Sequence, residues 1–116
     1  MKDYSAMSDF EINKAVANIV FSGEIPRMQE DSLEFGILNY CKNPEQAWPI
    51  IAENKISLNW SEIEKEWCAH VAGVMTEGCW CWDDDPAHHH DDSNPLRAAM
   101  IVFLMMKDRE SSHADA

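Results

Sequence analysis

The residues best suited to chemistry lie between positions 79 and 92, where thiols, imidazoles and carboxylates are concentrated. This segment holds two cysteines, three consecutive histidines and five aspartates. Thiolate sulfur and imidazole nitrogen are the ligands that zinc prefers in proteins. The composition makes zinc the candidate cofactor for this segment. Its predicted ligands are Cys79, Cys81, His88 and His90, with Cys68 or His70 as substitutes.

The spacing of the two cysteines argues against such a site. Structural zinc sites generally use cysteine pairs separated by two to four residues, because the intervening turn points both sulfurs inward. Only Trp80 separates Cys79 from Cys81, so in a strand both thiols would lie on one face. We therefore expect a solvated acidic loop whose histidines bind metal only incidentally, with a specific zinc site as the alternative.

Catalysis by a cysteine needs a neighbouring base and a group that orients it. Cys68 and His70 share a face if their segment is a strand, and they do not meet if it is a helix. The sequence contains no G-x-S-x-G, P-loop or H-E-x-x-H motif. We therefore expect a protein that is not an enzyme.

The charge of the chain narrows the choice of partner. Nine Lys and Arg against 21 Asp and Glu give a formal net charge of -12, which argues against nucleic acid and acidic membranes as direct ligands. An acidic exterior can serve solubility alone. It can also mimic a phosphate backbone and occupy a basic groove on a DNA-binding protein.

Tryptophan is enriched among the residues that contribute most to binding at protein interfaces, and the chain has five. We expect most of them to fill the core, with Trp80 and Trp82 as the candidates for exposed anchors. Arg97 either pairs with a carboxylate at the edge of the core or faces a partner. The predicted protein-binding residues are Trp80, Trp82, Asp83, Asp84, Asp85 and Arg97.

Length and hydropathy indicate one domain in a reducing compartment. The 116 residues are 46% hydrophobic, which suffices for a single core. The first five residues contain no apolar stretch, and the longest apolar run, 98–106, is too short to span a membrane. We expect a cytoplasmic protein with free thiols, a globular domain over 1–107 and a polar, disordered tail over 108–116.

Local signals predict three helices. A capping box formed by Ser8 and Glu11 starts the first at Asp9, and Gly23 ends it. Asn43 with Pro44, and Asn94 with Pro95, pair an N-cap residue with a proline at the first helical position. The second helix then runs to about Glu53 with a kink or restart at Pro49. The third is apolar nearly all round, from 96 to 106.

The segments between these helices are less clearly patterned. Alternation predicts a strand over 55–60 and favours a strand over a helix for 61–75, and the aromatic run 79–82 is typical of a short strand. Residues 33–41 fit a short strand or an irregular docking segment. Residues 24–31 and 83–93 are predicted loops.

Several blocks of the sequence resemble the phage NinX family. They are SDFEIN at 8–13, YCKNP at 40–44, AWPII at 47–51, ENKISL at 53–58 and NPLRAAMIVFL at 94–104. The resemblance implies a small protein of lambdoid phages and enterobacterial prophages, encoded near late replication and recombination genes, with no activity assigned to the family. The matching blocks are largely the predicted core, Trp48 and Pro49 included, so they look structural.

Together these observations predict a small α+β domain. Amphipathic helices pack on a short antiparallel sheet, which extends from Ile56 to about Trp82, and the apolar C-terminal helix lies at the centre. The expected function is that of a non-enzymatic accessory protein that binds a host or phage protein in the host cytoplasm. The alternative is a small zinc-binding module that uses the segment from Cys79 to His90.

Overall fold

The computed structural model describes residues 3–75, 82–84 and 87–114. After a single 3-10 turn at Tyr4–Ala6, the helices are α1 (Asp9–Val20), α2 (Arg27–Glu34), α3 (Pro44–Glu53) and α4 (Pro95–Ala114). The strands are β1 (Ile56–Ser61), β2 (Glu66–Val71), β3 (Val74–Met75), β4 (Trp82–Asp84) and β5 (His88–Asp92). This is the predicted α+β class, with helices packed around a short antiparallel sheet.

The three predicted helices begin where they were expected, and a side chain caps the first turn of each. The Glu11 amide donates to Ser8 Oγ at 3.2 Å at the start of α1. The Glu45 amide donates to Asn43 Oδ1 at 3.0 Å in α3, and the Leu96 amide donates to Asn94 Oδ1 at 3.0 Å in α4. Each cap satisfies one of the amides that a helix leaves unpaired in its first turn. The bounds of α3 are as predicted, and Pro49 lies inside a single helix.

The predicted loop over 24–31 is wrong from Arg27 onward, where α2 begins. Arg, Gln and Glu, which have good helix propensity, make up half of this helix, and Leu33 is its one buried residue. A single buried anchor produces no detectable apolar period, so the pattern suggested a loop. After α2 the chain forms the irregular docking segment, which buries Leu38, Tyr40 and Cys41 without forming a strand.

The main sheet has the strand order β1-β2-β5, with both pairs antiparallel. Residues 61–75 therefore contain the favoured strand, β2, rather than a helix. Ser61 and Glu64 have the spacing of a helix capping box, but Ser61 Oγ accepts from the Glu64 amide at 3.0 Å in the turn between β1 and β2. A short polar side chain can cap a turn as well as a helix.

The predicted loop over 83–93 is also wrong, because His88–Asp92 forms the third strand of the sheet. Strand β5 pairs with β2 from Trp67↔Asp92 to Val71↔His88. An edge strand is held largely by its backbone ladder and needs no apolar run of its own. Trp82–Asp84, where the sheet was expected to end, instead pairs with β3 in a separate two-stranded ribbon.

Helix α4 is the centre of the fold, as predicted. Every residue from Ala98 to Leu104 is buried, and the helix packs against the main sheet, α1 and α3. It extends to Ala114, beyond the end of the apolar run at Met106, so the predicted 108–116 tail overlaps its last turns. A Lys107–Glu110 ion pair lies within this polar extension.

The expectation that most tryptophans fill the core is wrong for Trp48 and Trp60, which are 61% and 44% exposed. In α3 the buried residues are Ala47, Ile50 and Ile51. Trp48 lies off this stripe, on the outer side of the helix. Aliphatic side chains of α1 and α4 fill the core instead.

Candidate functional site

The two faces of the main sheet carry different chemistry. Ala69 of β2 belongs to the hydrophobic core and pairs with His90 of β5. The neighbouring Cys68 pairs with Asp91. Side chains alternate along a strand, and directly opposed residues share a face. His90 therefore lies on the same side of the sheet as Ala69, and Asp91 lies on the same side as Cys68. We call the side against α4 the inner face and the opposite side the outer face.

Three metal-binding side chains meet on the outer face. Cys68 Sγ, a ring nitrogen of His89 and a carboxylate oxygen of Asp91 all lie within 4.8 Å of one another. Cys68 is buried at 1% exposure, whereas His89 and Asp91 are exposed. Burial is the main cause that raises the pKa of the Cys68 thiol to about 12, and the hydrogen bond and negative charge of Asp91 add to the effect. The thiol is therefore protonated at neutral pH and a weak nucleophile on its own.

His70 shares the outer face with Cys68, as the strand prediction requires, and it is buried. Its Nδ1 lies 2.7 Å from the carbonyl oxygen of Ala72, which can only accept, so Nδ1 carries the proton. Nε2 then accepts from Asn59 Nδ2 at 2.7 Å. Both ring nitrogens are used in holding the sheet, so this geometry does not present His70 as a base to Cys68.

Arg97 lies on the inner side, where its guanidinium donates to three segments of the chain. Nε bonds Asp92 Oδ2 at 3.0 Å, Nη1 bonds Asp9 Oδ1 at 2.7 Å, and Nη2 bonds the carbonyls of Ser5 and Met7. The side chain is 14% exposed. Of the two roles expected for Arg97, pairing with a carboxylate at the edge of the core is the one observed.

His88 and His90, two of the predicted zinc ligands, are half-buried on the inner face. Burial lowers the pKa of His90 and outweighs the opposing influence of Asp92 and Asp91. Burial also lowers the pKa of His88, with Arg109 adding to the effect. These two histidines lie across the sheet from Cys68, so Cys68 cannot join them as a substitute ligand.

The remaining predicted site residues lie between positions 79 and 85 of the sequence. Trp82, Asp83 and Asp84 form β4. Four others, Cys79, Trp80, Cys81 and Asp85, lie outside the described residues. The zinc site of Cys79, Cys81, His88 and His90 and the binding surface around Trp80 to Asp85 therefore stay predictions.

The helical side carries an apolar surface that sequence reasoning missed. Met28, Phe35 and Ile37 are 77%, 78% and 67% exposed, and we call these three residues the α2 surface. Met28 and Phe35 are two helical turns apart and share the outward side, while Leu33 faces the core. The available signal was the spacing of these apolar residues within an otherwise polar segment.

The fold is that of a small α+β domain built on a buried C-terminal helix. Residues 3–107 match the family model described as Bacteriophage P22, NinX, so this chain belongs to the phage NinX family. The family assignment confirms the resemblance carried by the blocks around α1, α3 and α4. Searches of curated proteins and of solved structures returned no match. Among the described residues, no helix combines the length and apolar character needed to cross a bilayer.

Proposed function

We propose that this NinX-family chain is a non-enzymatic accessory protein that binds another protein, of host or phage, in the host cytoplasm. The exposure of the α2 surface carries the proposal. Burying one such side chain contributes about 1.5–3 kcal/mol, and several large apolar side chains exposed within one short segment favour an interaction site. A partner that covers Met28, Phe35 and Ile37 would gain that free energy.

The charges beside the α2 surface indicate the chemistry of the partner. Glu30, Asp31 and Glu34 are exposed on the same helix, against the single cation Arg27. This local excess of negative charge has the same sign as the net charge of -12. A matching surface would offer an apolar pocket rimmed by Lys or Arg. Proteins that bind nucleic acid commonly carry such basic surfaces, whereas free nucleic acid would be repelled.

The way α2 is anchored makes the proposal testable without unfolding the protein. Leu33 is the buried residue of this helix, and α2 packs on α1 rather than on the sheet. Serine at the three outward positions removes apolar contact area but leaves the core unchanged. The variant M28S/F35S/I37S should therefore fold. Ile63, at 81% exposure in the turn between β1 and β2, offers a matched control.

The experiment compares wild type, M28S/F35S/I37S and I63S as tagged proteins in phage-infected bacteria, followed by crosslinking, capture and quantitative mass spectrometry. We expect wild type and I63S to retain one stoichiometric protein, and the triple variant to retain at least about ten-fold less. Binding of the purified partner should weaken as salt rises. Equal retention by all three proteins, or no stoichiometric protein at all, overturns the proposal.

Charge reversal tests the acidic segment in the same assay. D83K/D84K/D85K should weaken the complex if the residues predicted from sequence form part of the interface. Unchanged binding would confine the interface to the helical side. The two sets of variants thus separate the apolar contact from the acidic one.

A further inference from the structure

We propose that the outer face of the main sheet holds a transition-metal site, formed by Cys68, His89 and Asp91 and matched best to zinc. Cys68 lies on the central strand β2, directly opposite Asp91 on β5, and His89 is the adjacent residue on the same face of β5. The sheet register therefore brings together a thiol, an imidazole and a carboxylate. Their donor atoms all lie within 4.8 Å of one another.

The distances suit one metal ion bound between the three side chains. Zinc bonds of about 2.0–2.3 Å in a tetrahedral arrangement place neighbouring donor atoms about 3.5 Å apart. Contraction from the observed limit of 4.8 Å requires shifts of about 1 Å. His89 and Asp91 are exposed and can change rotamer, whereas Cys68 is fixed in the central strand. The buried thiol would thus be the anchor of the site.

The donor set selects the class of metal. Magnesium and calcium take oxygen ligands, whereas zinc binds sulfur, nitrogen and oxygen together. On binding, the S–H bond of Cys68 breaks, a sulfur–zinc bond forms, and the proton passes to solvent. No oxidation or reduction is involved. Three protein ligands leave a fourth position for water or for a side chain of a partner.

His70, His88 and His90 lie close to this site in the sequence or in the sheet, but they do not belong to the ligand set. The ring nitrogens of His70 bond Ala72 and Asn59. His88 and His90 lie on the inner face of the sheet. Only the middle residue of the three consecutive histidines lies beside Cys68. The proposed site therefore differs from the set predicted from the sequence pattern.

Cobalt(II) is the probe for the test, because it replaces zinc in tetrahedral sites and its absorption reports thiolate bonding. The metal-free full chain is titrated with cobalt and then with zinc. We expect one cobalt per chain, a thiolate-to-cobalt charge-transfer band, and displacement by zinc. H89Q and D91N should each weaken binding at least about ten-fold, and C68S should lose the charge-transfer band. H88Q, which alters the adjacent histidine on the other face, should bind as wild type does.

Three results would overturn the proposal. One is the absence of a charge-transfer band in wild type. Another is equal weakening by H88Q and H89Q, which indicates incidental binding to the histidine run. The third is loss of the metal in C79S/C81S but not in C68S. Circular dichroism checks that each variant is folded, and if C68S unfolds, the exposed-site variants H89Q and D91N decide the matter.

Discussion

Arg97 Nη1 lies 2.7 Å from Asp9 Oδ1 and so joins the first turn of α4 to the first turn of α1. The same guanidinium bonds Asp92 at the end of β5 and the carbonyl of Met7 before α1. One side chain thus links the core helix, the edge strand and the N-terminal turn. Its bonds are charge-assisted, and the bond to Asp92 is largely shielded from water, which makes it stronger than an exposed ion pair.

Replacing Arg97 with methionine should destabilise the protein by about 2–3 kcal/mol, because the Asp92 carboxylate would stay partly buried without its cation. The half-exposed Asp9 contributes less to this loss, since water screens it. Urea denaturation measures the change. The control R109M alters an exposed arginine of the same helix and should stay within about 0.5 kcal/mol of wild type. Similar losses in the two variants would contradict the proposed linking role.

Asn13 provides a second test of the packing around α1. It is buried, its Oδ1 accepts from the Cys41 amide at 3.0 Å, and its Nδ2 donates to Asn39 Oδ1 at 2.9 Å. N13A should cost about 1–3 kcal/mol, because it leaves a buried amide without an acceptor. N18A is the control, because it makes the same Asn-to-Ala change at an exposed position of the same helix. Both variants therefore gain the same helix propensity. Equal unfolding free energies for N13A and N18A would show that the two bonds are unimportant.

The parts of the fold that were predictable are those set by local chemistry. Ser8, Asn43 and Asn94 cap helices through bonds to amides two or three residues away, so the signal lies within a few positions. The apolar run of α4 is equally local. Trp48 shows the limit of this reasoning, because its size suggested burial while its position on α3 places it on the outer side.

The outer-face cluster was not predictable, because it depends on a register between distant strands. The segment 88–92 consists of histidine and aspartate only, so alternation has no apolar residues through which to appear. Only pairing with β2 shows that His89 and Asp91 flank Cys68 while His88 and His90 face α4. The sequence indicated that metal-binding residues were concentrated near this segment, but it did not indicate which of them meet.

The buried thiols should react slowly in the folded, metal-free protein. In the variant C79S/C81S the remaining cysteines are Cys41 and Cys68, both buried. Burial is the main cause that raises the pKa of each thiol to about 12. Because the thiolate is the reactive form, labelling by a disulfide reagent near pH 8 should be on the order of a hundred-fold slower than in urea-unfolded chain. Equal rates would contradict the burial of both thiols.

The inner-face histidines should make stability depend on pH. Burial lowers the pKa of His88 and His90 from the usual 6.5. Between 6.5 and the lower folded-state pKa values, the unfolded chain binds more protons than the folded one. Acidification through this window therefore favours unfolding, and the contribution is fully present only above it.

Urea denaturation of wild type and H88Q/H90Q at about pH 7.5 and about pH 5.5 isolates this contribution. The unfolding free energies at the higher pH correct for any intrinsic cost of the substitutions. The carboxylates are the same in both proteins, so their titration changes the unfolding free energy of both alike. We expect wild type to lose more unfolding free energy on acidification than the double variant does. Equal losses in the two proteins would contradict a lowered pKa of His88 and His90 in the folded chain.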